Sequence, residues 1–207
     1  MRVKLLNKLD NAINIIFTAC RTCYSAKSPI DLSNDDPNME LILKVARSGH
    51  LSTFEHVVCT FAIEGVSRSL LAQLTRHRIC SFSVQSQRYC KFDKDFVVPD
   101  ALGGENKEMV GKTLNQIMDC YETLIKNGVK REDARAVLPN ASCTNLVMTC
   151  NLRELIHICN LRLCKRSQTE IRELVGLMRD EVIRQLPFMK QFLVPKCRTC
   201  TEKEKCK

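Results

Sequence analysis

A chain of 207 residues with 44% hydrophobic and 27% charged side chains has the size and balance of a globular protein with a sizeable core, which excludes a disordered or low-complexity chain. Lys and Arg exceed Asp and Glu by 32 − 23 = 9, which favours anionic partners: nucleotides, phosphorylated or polyglutamated small molecules, nucleic acid or an acidic membrane surface. No apolar run is long enough to span a bilayer, and Asp10, Asn11 and Asn14 interrupt any secretory core before Cys20. The segment "RVKLL" predicts a short first strand, and Ile13, Ile16, Phe17 and Cys20 give residues 10–24 a helical apolar spacing. In "DDPNMELILKVARSG" Asp36 is the expected cap, Pro37 fits the first turn, and Gly49 ends the helix. Residues 56–65 form a β-rich run bounded by Gly65, and residues 67–76 return to helical spacing.

A long helix is predicted over 105–127, ending at Gly128, then a short one in "REDARAVLP" stopped by Pro139. A strand follows over 142–150, and "NLRELIHICNLRLC" is helical. "SQTE" at 167–170 is a capping-box pattern opening a last helix up to Pro187. Strands and helices without strict alternation predict an α+β fold, a single compact domain with a long, helical, hairpin-like C-terminal half. The boundaries are a catalytic domain over 1–195 and a polar, Cys- and Lys-rich tail over 196–207.

Thirteen cysteines are many for this length, yet the number is odd and most lie in apolar periodic stretches. Cys59, Cys120, Cys143, Cys150, Cys159 and Cys164 read as reduced, mostly buried thiols, and a reducing cytoplasm is expected. "CRTC" occurs at Cys20–Cys23 and again at Cys197–Cys200, with Cys206 beyond. The tail cysteines lack a fourth ligand near them in sequence, so no metal site is expected. "VGKT" at 110–113 mimics the end of a phosphate-binding loop, but the first glycine of that pattern falls on Asn106 and the segment reads as mid-helix.

The densest polar stretch is "RHRICSFSVQSQRY", residues 76–89. Arg76, His77, Arg78 and Arg88 stand among Ser81, Ser83 and Ser86, while Phe82, Val84 and Tyr89 suit a half-buried extended segment. Clustered cations repel one another, so an anion is expected to offset them, and forked guanidiniums with hydroxyls suit phosphate or carboxylate. In "NLRELIHICNLR" Arg153 and His157 stand at i and i+4 on one helical face, with Asn151 at the start and Arg162 at the end. Arg135, inside an apolar run, reads as an inward-directed charge awaiting a counter-ion.

Together these segments resemble the flavin-dependent thymidylate synthases. "RHRICSFSVQS" is similar to that family's central motif, "SGHLSTFEH" to its flavin-proximal segment, "REDARAVLP" to an interior arginine segment and "NLRELIHICNLR" to its late helix. Val84 departs from the Glu or Gln of many members. The resemblance implies reductive methylation of dUMP to dTMP, with 5,10-methylenetetrahydrofolate as carbon donor and NADPH-reduced FAD as hydride source. It assigns FAD to Ser52, Arg76, His77, Arg78, Asn151, Arg153 and His157. It assigns dUMP to Gln73, Arg76, Gln85, Ser86, Gln87, Arg88, Arg135 and Arg162, with Arg162 also catalytic beside the uracil. A homotetramer with sites shared between subunits is implied, and neither a nucleic acid nor a membrane is an expected partner. The other class the sequence allows is a basic RNA-binding or RNA-modifying protein with a zinc-binding Cys tail, supported by the charge and the C-x-x-C pairs.

Overall fold

The computed structural model describes residues 1–92, 95–197, 200–201 and 206. It is a mixed α/β structure around one four-stranded sheet, the expected α+β class. In chain order the strands are β1 (Arg2–Leu5), β2 (Val58–Ser67), β3 (Cys80–Val84) and β4 (Cys143–Asn151), and the order in the sheet is β1-β2-β4-β3. Eight α-helices are described: α1 (Ala12–Thr22), α2 (Pro29–Leu32), α3 (Met39–Arg47), α4 (Arg68–Leu74), α5 (Gly104–Lys126), α6 (Arg131–Ala134), α7 (Leu152–Arg162) and α8 (Thr169–Gln185). No helix among the described residues is long and apolar enough to cross a membrane.

Several local predictions shift by a residue or two, for identifiable reasons. Helix α3 is capped by Asn38, whose side chain accepts from Leu41 N–H at 3.0 Å, so Asp36 and Pro37 stand outside it. Gly65 lies inside β2 instead of ending it. Its φ of +70° is open to glycine at little cost, and it breaks the alternation of the strand so that Val66 and Ser67 are both buried. The box predicted from "SQTE" does not form: Gln168 occupies the cap position of α8 without a side-chain cap hydrogen bond, and its Nε2 donates to Glu170 Oε2 at 3.4 Å. Residues 110–113 lie mid-helix in α5, as expected of a segment that cannot cradle phosphate.

The chain divides into two compact units, each drawn from separated segments. One comprises Met1–Arg2, Ile63–Arg76 and Phe82–Val147. Its core gathers Phe92, Met118, Tyr121 and Ala134, with Phe96 edge-on to Phe92 at 5.3 Å between ring centroids. Helix α5 buries only Leu114, Met118 and Tyr121, which leaves Cys120 exposed, contrary to the expected buried thiol.

The other unit comprises Val3–Ala62, His77–Ser81 and Met148–Lys207. Phe54 is fully buried there, 5.7 Å from the ring of Phe192, a burial that contributes about 1.5–3 kcal/mol. Helix α7 is apolar around most of its circumference: Leu152, Leu155, Ile156, Ile158 and Cys159 are all buried. Its exposed side chains are Arg153, His157 and Leu161, at i, i+4 and i+8. A helix sunk this deeply displays one narrow stripe, and here the stripe carries a guanidinium and an imidazole.

Candidate active site

Strand β4 runs directly into α7, and the turn between them is set by Asn151. Its side-chain carbonyl accepts from the Glu154 N–H at 2.8 Å, so the residue closes the strand and caps the helix. The exposed stripe of α7 then borders a cleft of about 390 Å³ lined by Glu55, Ile79, Asn151, Arg153, Glu154 and His157. Arg153 is ion-paired with Glu55, which the short helical turn Leu51–His56 presents. Asn151, Arg153 and His157, three of the expected flavin residues, therefore share one surface.

Behind that surface lies His77, which is 4% exposed. Arg162 Nε–H donates to His77 Nε2 at 3.0 Å, and Glu154 Oε1 stands 3.4 Å from His77 Nδ1. The His157 ring meets it edge-on at 5.9 Å between centroids. Burial first, then the Arg162 charge and His157, push the His77 pKa down to about 4. The imidazole is consequently neutral, and because Nε2 accepts, its proton is on Nδ1, facing Glu154. Burial pushes the Glu154 carboxyl up, with His157 pulling the other way. The His77–Glu154 approach is thus the contact of a neutral ring with a carboxyl, not an ion pair.

Other expected flavin residues are placed differently. Arg78 is exposed. Ser52 lines a separate groove of about 500 Å³ with Ile15 and Thr18 of α1. Arg76 falls in the first unit, at the exposed end of α4. Among the described residues neither Arg76 nor Arg78 has an acidic partner.

In the first unit a pocket of about 360 Å³ has Gln85, Ser86 and Gln87 in its wall, together with Arg68, Thr144 and Asn145. Arg68 Nη2 donates to the Gln85 carbonyl at 2.9 Å, and Asn145 Nδ2 donates to Gln85 Oε1 at 3.0 Å. Asn145 Oδ1 in turn accepts from Gly65 N–H at 3.0 Å. Burial, followed by the Arg135 charge, lowers the Arg68 pKa. Arg68 Nε and Thr144 Oγ1 are buried without a hydrogen-bond partner among the described residues, a demand that a polar ligand would meet.

The remaining nucleotide candidates do not line this pocket. Arg88 is held by Glu132, with Nε at 3.0 Å and Nη2 at 2.7 Å from Oε2. Arg135 is exposed and donates to the Glu132 carbonyl at 3.1 Å, so it is not the inward charge expected from its apolar neighbours. Gln73 is half-buried on α4, 3.4 Å from the Ser69 carbonyl. Arg162 belongs to the second unit.

Four residues that the sequence reading passed over belong to these two surfaces: Glu55, Arg68, Asn145 and Glu154. Two carried a signal. Arg68 opens a helix, where the dipole disfavours a cation, and Asn145 interrupts a β-run in which Asn is depleted. Glu154 gave none, because an acid in the first turn of a helix is ordinary.

The residues at hand suit a flavin and its diphosphate. The second-unit cleft offers the exposed apolar side chain of Ile79, at 69% exposure, the edge of His157, and a cation at Arg153. Comparison with known proteins points the same way. A family model described as "Thymidylate synthase complementing protein" matches residues 4–188. The flavin-dependent thymidylate synthase of Geobacter sulfurreducens is 41% identical over 184 residues, 84% of this chain and 78% of its own. That of Thermococcus onnurineus is 42% identical over 193 residues, 88% and 78% respectively. Among solved structures, the UMP/dUMP methylase PolB of Streptomyces cacaoi bound with 5-Br dUMP superposes with a TM-score of 0.78 at 24% identity, covering 93% of this chain and 96% of that one. The Helicobacter pylori ThyX complex with FAD and dUMP gives 0.72 at 25% identity, covering 93% and 99%. With the family model matched over 4–188 and relatives above 40% identity across most of its length, the chain belongs to the thymidylate synthase complementing protein family, that of the flavin-dependent thymidylate synthases.

Proposed function

We propose that this chain catalyses the reductive methylation of dUMP to dTMP, taking the carbon from 5,10-methylenetetrahydrofolate and the hydride from FAD reduced by NADPH. The observation that carries the reading is the family match over residues 4–188, which spans every residue assigned to flavin or nucleotide.

Arg78 and Arg153 hold the flavin diphosphate, with Asn151 and Ser52 supplying polar contacts. His157 and Ile79 would hold the flavin ring, which would supply the hydride. His77 does not serve as a cation. It is neutral, and the buried chain from Arg162 through His77 to Glu154 keeps the wall of the cleft rigid and fixes the direction of each proton. Gln85, Ser86 and Gln87, supported by Arg68 and Asn145, meet the nucleotide, and Arg88 leaves Glu132 to grip its phosphate as a fork. Gln73, Arg76 and Arg135 contribute further donors. Arg162 stabilises charge growing on the uracil oxygens and N3. Subunits of a homotetramer share these residues, and the enzyme works in the cytoplasm.

The test is direct. Anaerobic incubation with FAD, NADPH, methylenetetrahydrofolate and dUMP is expected to give dTMP, and the flavin is expected to bind with a visible spectrum. A folded chain that takes up no FAD on titration would end the reading.

A further inference from the structure

The tail cysteines Cys197, Cys200 and Cys206 lack a fourth ligand in their stretch of sequence, and the fold brings one to them. Helix α7 ends at Arg162, and the turn before α8 carries a half-buried thiol, Cys164, whose carbonyl accepts from Ser167 N–H at 3.0 Å. The C-terminal segment returns to this turn. The Lys196 N–H donates to the carbonyl of Asn160 at 3.1 Å, one helical turn before Cys164. This bond fastens the root of the tail to the end of α7, and Cys197 is the next residue. Farther along, the Cys206 thiol is hydrogen-bonded to the Cys164 thiol, with Cys200 and the Arg166 guanidinium as further charge neighbours. Cys164, Cys200 and Cys206 are each half-buried despite standing in a turn and a polar tail.

We propose that Cys164, Cys197, Cys200 and Cys206 form a tetrathiolate site for a structural zinc ion. The C-x-x-C pair supplies two ligands from one turn, as structural zinc sites do, and four sulfurs fill the tetrahedron without leaving a position for substrate. Soft thiolates select zinc over magnesium or calcium. Binding converts four thiols to thiolates and releases four protons, so no oxidant or reductant enters. The resulting anionic centre stands beside Arg166, with Lys165 and Lys196 adjacent in sequence to its ligands. Among the described residues the group with ligand atoms already within 4.8 Å of one another is His77, Glu154 and His157, so the four thiols close into a tetrahedron only as the metal draws them together. His77 Nε2, however, already accepts from Arg162, so that group carries no metal site. The zinc site is independent of the flavin reaction, but it locks the end of the helix that bears Arg162, two residues before Cys164.

The full-length chain, purified without chelator and under reducing conditions, is expected to hold about one zinc ion by elemental analysis, the stoichiometry of a closed four-sulfur site. Cobalt(II) in its place is expected to give an intense thiolate-to-metal charge-transfer band and the visible bands of a tetrahedral centre. Cys164→Ser and Cys206→Ser should each lower zinc affinity by more than the roughly 10–100-fold typical of losing a group that only supports a ligand. Cys23→Ser, at the exposed end of α1 in the other "CRTC", should leave it unchanged. Cys206 lies in the tail, so its variant keeps the test valid even where Cys164→Ser fails to fold. A reduced chain that takes up neither zinc nor cobalt overturns the proposal. So does an unaltered cobalt spectrum in Cys164→Ser, or a Cys197–Cys200 disulfide in the chain as purified.

Discussion

Arg162 donates its Nε–H to Nε2 of His77 at 3.0 Å, and the buried imidazole therefore keeps its own proton on Nδ1, where Glu154 Oε1 lies 3.4 Å away. A histidine set between two arginines in sequence thus folds into a neutral link between a guanidinium and a carboxyl. Its neighbours Arg76 and Arg78 remain exposed, so a single tripeptide faces both the interior and the solvent.

The neutrality of His77 gives folding a pH dependence with a definite sign. Its pKa is about 4 in the folded protein against an ordinary 6.5, so between those values the unfolded chain binds a proton that the folded chain refuses. Stability is therefore lost as pH falls from about 6.5 towards 4, by at most about 3 kcal/mol from this group. Glu154, whose pKa is raised by burial, acts in the opposite sense: its contribution is lost as pH rises through its folded pKa. His77→Gln can still accept from Arg162 and donate towards Glu154, so it isolates the effect. Denaturant unfolding across this window should show a flatter pH slope in the variant, and an unchanged slope would mean that His77 titrates normally.

Arg162 should matter more for rate than for holding dUMP. A guanidinium beside a ring that gains negative charge is worth more in the transition state than in the ground state, and losing one preorganised donor costs on the order of 10²–10³ in rate. Lysine lacks the directed fork and should not restore it. Single-turnover oxidation of reduced flavin at saturating dUMP and methylenetetrahydrofolate reads this directly in Arg162→Ala and Arg162→Lys. Because Arg162 is the second largest influence lowering the His77 pKa, Arg162→Ala should also raise that pKa, seen by NMR of the imidazole. Near-normal rates with weakened dUMP affinity would reduce Arg162 to a binding residue.

Arg88 and Glu132 form an exposed pair, with side chains 50% and 38% accessible, and such pairs contribute about 0–1 kcal/mol to stability. Glu132 is then no structural anchor, and under the proposed function it occupies the fork that the nucleotide phosphate would take. Glu132→Gln should leave the unfolding midpoint unchanged and tighten dUMP by a few-fold, since Arg88 no longer has to leave a carboxylate. Arg88→Ala should weaken dUMP by about 10–100-fold, the worth of a charge-assisted hydrogen bond. Equilibrium titration of the flavin-loaded enzyme distinguishes these, and Glu132→Gln weakening the nucleotide would assign the acid a direct role.

The sequence made elements legible where periodicity was strong. Helices α1, α3, α5, α7 and α8 fall within a few residues of their predicted bounds, because each shows apolar spacing with a recognisable stop such as Gly49 or Gly128. What it hid was direction. Arg135 looked inward because its neighbours are apolar, yet a short turn aims it at the Glu132 carbonyl. Glu154 looked like a routine first-turn acid, yet α7 is sunk deeply enough to bury it against His77. The likeness of four segments to one family was legible, but the convergence of Cys164 on the tail depends on where a distant backbone bond pins Lys196. No spacing rule contains that.

No cysteine should act as a nucleophile in this enzyme. Nucleophilic thiols need a lowered pKa, from a nearby cation, a helix N-terminus or a base. Burial instead pushes Cys59 and Cys159 up to about 12. Cys150 is raised further by its hydrogen bond with Cys80, by burial and by neighbouring thiols and Glu154. Cys80 is the critical case, since it begins β3 inside the cationic motif and is only half-buried. Its thiol partner is Cys150, which is neither a base nor a cation and cannot draw off its proton. Cys80→Ala should therefore keep FAD and dUMP binding and lose no more than a few-fold in turnover, a repacking effect of one small side chain. Turnover and nucleotide titration of the same preparation decide the matter. Turnover abolished with both ligands still bound would require a covalent step through Cys80.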